Sequence, residues 1–289
     1  MATKLQTIAD TRRVLKEKVS SIYPGAEAGA VVTYLLEHIT GLTPLRQLQE
    51  GTRTLSREES ALLAEASSQL LEGCPVQYIT GYSWFSDRRI GVNRSVLIPR
   101  QETEELVVRA ASIAGDDFGG TIIDLCTGSG AIALSLALDL PEAEVWATDI
   151  SVAALRVAAA NSDRYGAGIK LIESDLLSED FTPLPPAEII VSNPPYVSLS
   201  EKRHMAENVT RYEPPGALFV PDSDPLLFYR PLLKAIEVLL VPGGYFCFEI
   251  NEAMGREAEA LFKKDFITNC SVWNDINGKE RFIEGFRRG

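Results

Sequence analysis

Four consecutive residues, Asn193-Pro194-Pro195-Tyr196, carry the most specific chemistry in this sequence. They follow the short apolar run 187–192, which is typical of a parallel strand covered on both faces. The side-chain oxygen of Asn193 and the backbone carbonyl of Pro194 can accept both N–H donors of a planar NH2 group, while the ring of Tyr196 packs on that group. Consecutive prolines lock φ and fix the direction of the preceding carbonyls. The motif therefore predicts a substrate site, formed by Asn193, Pro194, Pro195 and Tyr196, that orients an amide or aromatic NH2.

A second motif joins the apolar strand 121–125 to an apolar helix through a glycine-containing loop. Gly128 and Gly130 allow positive φ and let backbone N–H groups approach a ligand. Nineteen residues beyond Gly130, the strand 144–148 ends in Asp149, whose carboxylate can accept hydrogen bonds from both hydroxyls of a ribose. The geometry predicts an adenosine site. The loop residues expected to contact the cofactor are Cys126, Thr127, Gly128, Ser129 and Gly130.

The glycine loop by itself leaves the cofactor open. Residues 128–133 also fit the pattern G-x-G-x-x-A, which nicotinamide and S-adenosyl-L-methionine sites share. A dehydrogenase needs a proton relay such as His or a Tyr-Lys pair beside the hydride, and no such group is apparent near the predicted strand ends. Methyl transfer instead needs an oriented lone pair, which the Asn193 motif can supply.

The elements that must position these motifs alternate between strand and helix from about residue 100. Helices between the first five strands predict right-handed parallel connections, and the last two strands should pair antiparallel. The pattern is that of a seven-stranded, doubly wound sheet. The predicted strands are 121–125, 144–149, 170–173, 187–192, 244–250, 266–273 and 279–286.

The first seventy or so residues show helical periodicity without strand alternation. Helices are predicted over 5–20 and 28–40, and a third begins at the capping pair Ser56 and Glu59. The apolar face of this third helix is expected to be Leu62, Leu63, Ala66 and Leu70. The segment 76–99 is expected to be a linking β-hairpin, with strands 82–85 and 90–92 around a turn at 86–89.

Composition narrows the class of partner. The 28 Lys and Arg residues against 40 Asp and Glu residues give a net charge of −12, which disfavours binding to DNA or RNA. Four widely spaced cysteines without a C-x-x-C pair favour reduced thiols and disfavour zinc, and the block of eighteen apolar residues that a membrane span needs is missing. The sequence predicts a cytoplasmic enzyme with no metal, no membrane partner and no direct contact with nucleic acid.

The chain resembles the PrmC/HemK family of protein-(glutamine-N5) methyltransferases over nearly its whole length. The Asn-Pro-Pro-Tyr motif is shared with adenine-N6 DNA methyltransferases, whereas the Ile-Pro-Arg-x-Glu-Thr-Glu and Tyr-Glu-Pro runs are not, so these two runs carry the specificity. The runs that carry the resemblance are 73–81, 97–104, 124–130, 192–197, 211–218 and 275–282.

The resemblance implies a Rossmann-like (class I) methyltransferase fold with an N-terminal all-α domain. It implies domains at 1–75 (helical, substrate-docking), 76–99 (linking hairpin) and 100–289 (catalytic). The implied reaction transfers a methyl group from S-adenosyl-L-methionine, leaving S-adenosyl-L-homocysteine, to the glutamine of the Gly-Gly-Gln motif in peptide chain release factors. Asp175 and Leu176 are implied to contact the adenine.

The same resemblance suggests that Arg100, Glu102 and Glu104 close over the cofactor, although an exposed acidic helix start explains them equally well. Asn193, Pro194 and Tyr196 are the expected catalytic residues, with Asn193 also facing the cofactor. Because the proton of the attacking amide can leave after methyl transfer, no strong general base is required. A methyltransferase acting on the amino group of adenine or guanine in nucleic acid remains an alternative. So does a protein-binding module that keeps a silent cofactor fold.

Overall fold

The structure, a computed structural model, describes residues 6–289. Position 5, where the first predicted helix was expected to begin, lies outside the described residues. The chain divides into two compact units. Among the described residues, the first comprises 6–81 and 206–212, and the second comprises 82–205 and 213–289. Between residues 6 and 289, no helix is both long and apolar enough to cross a membrane.

Both units are built from short regular elements. In chain order these are α1 (Ile8–Val19), α2 (Glu27–Thr40), α3 (Pro44–Gln49), α4 (Arg57–Leu71), α5 (Val76–Thr80), β1 (Tyr82–Phe85), β2 (Arg88–Gly91), α6 (Glu102–Ala114), β3 (Thr121–Leu125), α7 (Ala131–Asp139), β4 (Glu144–Asp149), α8 (Val152–Tyr165), β5 (Lys170–Glu173), β6 (Ala187–Ser192), β7 (Val197–Ser198), α9 (Glu207–Tyr212), β8 (Phe219–Val220), α10 (Tyr229–Leu239), β9 (Leu240–Glu249), α11 (Gly255–Phe262), β10 (Ile267–Asn274) and β11 (Glu280–Arg287).

The first unit is helical, as the sequence predicts. Helix α4 begins at the predicted capping box, in which the Ser56 hydroxyl accepts the Glu59 N–H and the Glu59 carboxylate accepts the Ser56 N–H. Its predicted apolar face is wrong at Leu62, which is 55% exposed, whereas Ala66 and Leu70 are buried. Helix α9, supplied by a segment between two stretches of the second unit, belongs here, and the Tyr212 hydroxyl donates to the Glu72 carbonyl.

The segment expected to be one hairpin is only partly so. Residues 76–80 form the short helix α5, which ends at Gly81 with φ of 80°. Strands β1 and β2 then pair antiparallel around a two-residue turn, Ser86-Asp87, with φ of 47° and 59°. Positive φ at both turn positions matches the twist of the flanking strands, so Arg88 and Arg89 join β2 rather than the turn.

The second unit confirms the predicted seven-stranded sheet. Its strand order is β10-β11-β9-β6-β3-β4-β5, with parallel pairing among β9, β6, β3, β4 and β5 and antiparallel pairing of β11 with β9 and β10. Strand β9 starts at Leu240, earlier than the predicted residue 244, because 241–244 continues the strand with an irregular register. Alternate residues bury opposite faces: Ile123 packs in the core with α10 and α11, and Ile122 in the core with α6 and α7.

This topology gathers the predicted motifs at one sheet edge. From central β3 the chain runs outward through β4 and β5, then returns to β6 on the other side of β3. Ligands of open α/β sheets bind at such a reversal, outside the carboxyl ends of the strands. The loop after β3, Asp149 at the end of β4, Asp175 beyond β5 and Asn193 beyond β6 therefore meet there.

Candidate cofactor and acceptor-amide site

A cavity of about 360 Å³ opens at this edge within the second unit. Nine of the predicted site residues line it, and three do not: Gly130, Pro194 and Tyr196. Its volume lies in the range of small-molecule sites, about 300 to 1,000 Å³. The predicted residues on its wall are Cys126, Thr127, Gly128, Ser129, Asp149, Asp175, Leu176, Asn193 and Pro195.

The two glycines of the loop have different tasks. At Gly128, φ is 55° and a Cβ would meet no protein atom within 4 Å, so the space above this residue belongs to the cavity. At Gly130, φ is 78° and a Cβ would lie 3.0 Å from the Cβ of Ala158. Gly128 thus keeps the backbone open to a ligand, whereas Gly130 permits the close packing of α7 against α8.

Cys126 is an unusual residue for its conformation. Its φ of 62° lies in the left-handed region, which glycine adopts most easily. Burial raises the pKa of its thiol, and the nearby Asp149 and Asp124 carboxylates raise it further. The thiol therefore stays neutral and lines the cavity as a small apolar group.

Two carboxylates at neighbouring strand ends face the cavity. Asp149 accepts the Gly128 N–H through Oδ2 at 2.9 Å and the Ser151 N–H through Oδ1 at 2.8 Å. Burial raises the pKa of Asp149, and these backbone donors oppose that rise. Each oxygen keeps a lone pair for a hydroxyl donor. Asp175 caps the 3-10 turn that begins at Leu176 by accepting the Leu177 N–H, which leaves its other oxygen at the solvent-facing side of the cavity.

Asp124 lies beneath the loop and is fully buried. Its Oδ2 accepts the Thr127 hydroxyl at 2.6 Å and the Ala133 N–H at 3.2 Å. Its Oδ1 is buried without a hydrogen-bond partner among residues 6–289. Burial raises the pKa of Asp124 to about 7, and the Asp149 charge adds to that rise. This carboxyl fixes the start of α7 and the conformation of the loop.

A chain of side-chain hydrogen bonds ends at Asn193. The Asn193 Nδ2 donates to the Thr103 Oγ1 at 3.2 Å, and the Thr103 hydroxyl donates to Glu249 Oε2 at 2.6 Å. The Tyr196 hydroxyl donates to Glu249 Oε1 at 2.7 Å. Burial raises the pKa of Glu249, and its two hydroxyl donors oppose that rise. Thr103 lines the cavity, and Glu249 lies behind it.

The remaining motif residues take supporting positions. Pro194 is buried, and Tyr196 packs its ring against the core that contains α10 and α11. Burial raises the pKa of the Tyr196 hydroxyl well above its ordinary value, and the Glu249 charge raises it further, so the hydroxyl stays protonated. These positions leave the predicted contact of the Tyr196 ring with substrate untested.

The three charged residues predicted to close over the cofactor, Arg100, Glu102 and Glu104, lie in two different places. Arg100 donates to Glu213 Oε1 at 2.6 Å, and the Ile98 N–H donates to Glu213 Oε2 at 3.1 Å. Glu213 thereby ties the cavity wall at 97–99 to the wall at 216–217. Glu102 and Glu104 line a separate, open groove, and it is Thr103 between them that reaches the cavity.

The residues present fit S-adenosyl-L-methionine. Gly128 leaves open space on the cavity wall, and the Asp149 carboxylate on the same wall can accept hydrogen bonds from ribose hydroxyls. Sequence reasoning gave no role to Asp124, Thr103 or Glu249. The role of Asp124 could have been inferred from the sequence, because an acidic residue near the end of a strand, just before a glycine loop, usually finds its hydrogen-bond donors in that loop. For Thr103 and Glu249, 146 positions apart, no local pattern existed.

Comparisons with known proteins agree with this geometry. Residues 8–81 match the PrmC N-terminal domain, and residues 103–218 match the methyltransferase small domain. The release factor glutamine methyltransferase of Bacteroides thetaiotaomicron is 37% identical over 94% of this chain and 98% of its own length. That of Bacillus subtilis is 37% identical over 90% of this chain and 91% of its own length.

A third relative and one solved structure were also compared with the chain. The release factor glutamine methyltransferase of Flavobacterium psychrophilum is 42% identical over 75% of this chain and 76% of its own length. A solved methyltransferase from Pyrococcus furiosus covers 81% of this chain and all of its own chain at 14% identity and a TM-score of 0.48, a similarity too low to bear on function. The chain belongs to the release factor glutamine methyltransferase family.

Proposed function

We propose that this enzyme transfers a methyl group from S-adenosyl-L-methionine to the side-chain amide nitrogen, N5, of the glutamine in the Gly-Gly-Gln motif of peptide chain release factors. The names of the relatives above support methylation of a release factor glutamine. The observation that carries the proposal for this chain is the position of Asn193. It lies on the same cavity wall as Gly128 and Asp149, with its Nδ2 engaged by Thr103.

The cofactor half of the cavity supplies three kinds of group. Loop residues 126–129 would surround one end of the bound cofactor, Asp149 would accept from its ribose hydroxyls, and Asp175 with Leu176 would hold its adenine. When bound there, S-adenosyl-L-methionine supplies an electrophilic methyl group on a positively charged sulfur. The apolar side chains of Leu97 and Phe228 line the same cavity.

The acceptor half must orient a weak nucleophile. An amide nitrogen shares its lone pair with its carbonyl, so it attacks only when that conjugation is reduced and the lone pair is aimed. Asn193 Oδ1 and the Pro194 carbonyl accept the two N–H groups of the substrate glutamine and hold its lone pair toward the cofactor half. The same two acceptors stabilise positive charge that develops on the nitrogen. The proton leaves after transfer, so no side chain has to act as a strong base.

The partner and the domains belong to the same proposal. Residues 1–75 form a substrate-docking domain, 76–99 link it, and 100–289 carry the chemistry. The net charge of −12 favours a protein partner over DNA, RNA or an anionic membrane surface. A cytosolic location agrees with four free cysteines, since disulfides mark oxidising compartments.

The test is methyl transfer from labelled S-adenosyl-L-methionine to a purified release factor. A factor with Gly-Gly-Ala in place of Gly-Gly-Gln, duplex DNA and ribosomal RNA run beside it. Wild type, Asn193→Ala and the matched surface control Asn274→Ala are compared. We expect label on the Gly-Gly-Gln factor only, a loss of about 10²- to 10³-fold in kcat for Asn193→Ala, and full activity for Asn274→Ala.

The other outcomes are equally informative. Label on DNA or ribosomal RNA in place of the factor would move the assignment to the amino group of a nucleobase. No label on any substrate, with tight cofactor binding, would favour a binding module. Label on the Gly-Gly-Ala factor would mean that another residue is the acceptor.

A further inference from the structure

We propose that Thr103 and Glu249 are positioning residues that fix the orientation of the Asn193 amide, so that its Oδ1 faces the substrate glutamine. This inference rests on the proposed function for its substrate. Neither residue needs to touch the reacting atoms. Their role is to decide which end of one planar amide points into the acceptor half of the cavity.

The orientation follows from the proton count of the chain. A threonine hydroxyl has one proton to donate and accepts through its lone pairs. When the Glu249 carboxylate is ionised it can only accept, so Thr103 gives its proton to Oε2 at 2.6 Å and its own oxygen accepts from Asn193 at 3.2 Å. The Asn193 Nδ2 therefore faces Thr103. The reversed amide would bring Oδ1 against the Thr103 oxygen with no proton between them.

Glu249 prevents the hydroxyl from turning elsewhere. Its other oxygen accepts the Tyr196 hydroxyl at 2.7 Å, so both carboxylate oxygens have donors. Thr103 is 3% and Glu249 2% exposed, so both groups depend mainly on protein partners for their hydrogen bonds. A buried polar group that loses its partner is costly, and this cost locks the chain in one arrangement.

The arrangement leaves Asn193 with one acceptor to offer. Within residues 6–289 no donor reaches Asn193 Oδ1, while Asn193 itself lines the cavity. An amide free to rotate by 180° would present its NH2 to the NH2 of the substrate glutamine, and two donors would then repel each other. The gain from Thr103 and Glu249 is thus expected in kcat rather than in substrate affinity.

The experiment removes the hydroxyl and keeps the shape. Thr103→Val should lower kcat about tenfold, the size of one lost hydrogen bond, with KM for the release factor changed less than twofold. Thr103→Ser should restore kcat to within about twofold. The control Thr268→Val, which removes a half-buried hydroxyl from edge strand β10, should leave kcat unchanged. In an Asn193→Ala background, Thr103→Val should cost less than twofold, because the amide it orients is gone.

Glu249→Gln separates positioning from charge. The glutamine oxygen can accept the Thr103 hydroxyl while its NH2 donates to the Tyr196 oxygen, so positioning alone predicts kcat within about threefold of wild type. A loss as large as that of Thr103→Val would assign Glu249 an electrostatic role and overturn the proposal for that residue.

A readout independent of activity keeps the two proposals apart. In nitrogen-15 spectra, the Asn193 side-chain NH2 signal, identified by its absence in Asn193→Ala, should exchange slowly with solvent in wild type and Thr103→Ser and quickly in Thr103→Val. Unchanged exchange in Thr103→Val would overturn the positioning role. If wild type labels no release factor while the exchange pattern appears as expected, the proposed substrate fails and the positioning role stands.

Discussion

Two buried carboxyl groups lie beneath the two halves of the cavity. Each holds the wall of its half in place, but with different hydrogen-bond partners. Asp124 supports the cofactor half by accepting the Thr127 hydroxyl, and Glu249 supports the acceptor half by accepting the Thr103 hydroxyl. Asp124 also accepts one backbone N–H, and its other oxygen has no partner in the part of the chain that the structure describes, whereas both oxygens of Glu249 accept from hydroxyls. The cofactor half is set by backbone geometry, and the acceptor half by side-chain hydrogen bonds.

The difference also lies in sequence distance. The partners of Asp124 are 3 and 9 residues away, whereas Thr103 and Tyr196 are 146 and 53 residues from Glu249. The support of the cofactor half comes from one short segment of the chain. The support of the acceptor half forms only after β6, β9 and α6 have packed together. We expect lesions in the first half to affect cofactor binding and loop stability, and lesions in the second to affect kcat.

The largest effect should come from Asp124→Asn, seen in the pH dependence of stability. Because the folded-state pKa of about 7 lies above the ordinary 3.8, the folded protein binds this proton more tightly. Its contribution to stability is complete below about pH 4 and is lost as pH rises to about 7. The unfolding free energy of Asp124→Asn relative to wild type should therefore rise by about 4 kcal/mol over that range.

Urea unfolding at several pH values provides this measurement. Asp222→Asn is a matched control, because the Ser200 N–H lowers the pKa of that exposed carboxylate. Its stability relative to wild type should fall, not rise, as pH increases through the acid range. A flat difference curve for Asp124→Asn would mean that folding does not raise the pKa of Asp124, and would contradict this prediction.

This contrast also explains how far the sequence could lead. The strand and loop pattern around Gly128, with Asp149 at its expected distance, predicts the sheet and the cofactor half because each step spans no more than 21 residues. The motif at Asn193 predicts an amide acceptor but not what orients it. Helix α9 shows the same limit: a short polar segment between two motifs carries no sign that it packs with the N-terminal helices.

The ribose contact of Asp149 is the next prediction. Asp149→Ala removes two acceptor oxygens and also leaves the Gly128 N–H without its partner. The Kd for S-adenosyl-L-methionine should rise about 100-fold, or about 2.7 kcal/mol, with a smaller rise for Asp149→Asn, which keeps one oxygen. Calorimetric titration measures both. An unchanged Kd in Asp149→Ala would exclude a ribose contact and remove the reason for placing the adenosine in this half.

A pair of hydroxyl deletions compares the two halves directly. Tyr196→Phe removes one donor to Glu249, and Thr127→Val removes one donor to Asp124. Tyr196→Phe should lower kcat about fivefold with little change in cofactor Kd, and Thr127→Val should raise Kd about fivefold with little change in kcat at saturation. Steady-state kinetics and titration of both variants give the four values. If both variants changed the same parameter, the cavity would act as one unit and the division into halves would fail.

The smallest effect concerns the backbone at Cys126, whose φ of 62° is costly for any residue with a Cβ. Comparing Cys126→Gly with Cys126→Ala cancels the lost contacts of the thiol, since both variants lack it. Glycine relieves the strain but has more freedom to lose on folding, so Cys126→Gly should be the more stable by between about 0.5 and 1 kcal/mol. At an ordinary position the order would be reversed, because glycine is normally the less stable of the two. Urea unfolding gives the difference in unfolding free energy between the two variants. The sign of that difference tests whether backbone conformation determines the geometry of the cofactor half. Alanine proving the more stable would place that geometry in side-chain contacts and make the two halves of the cavity alike.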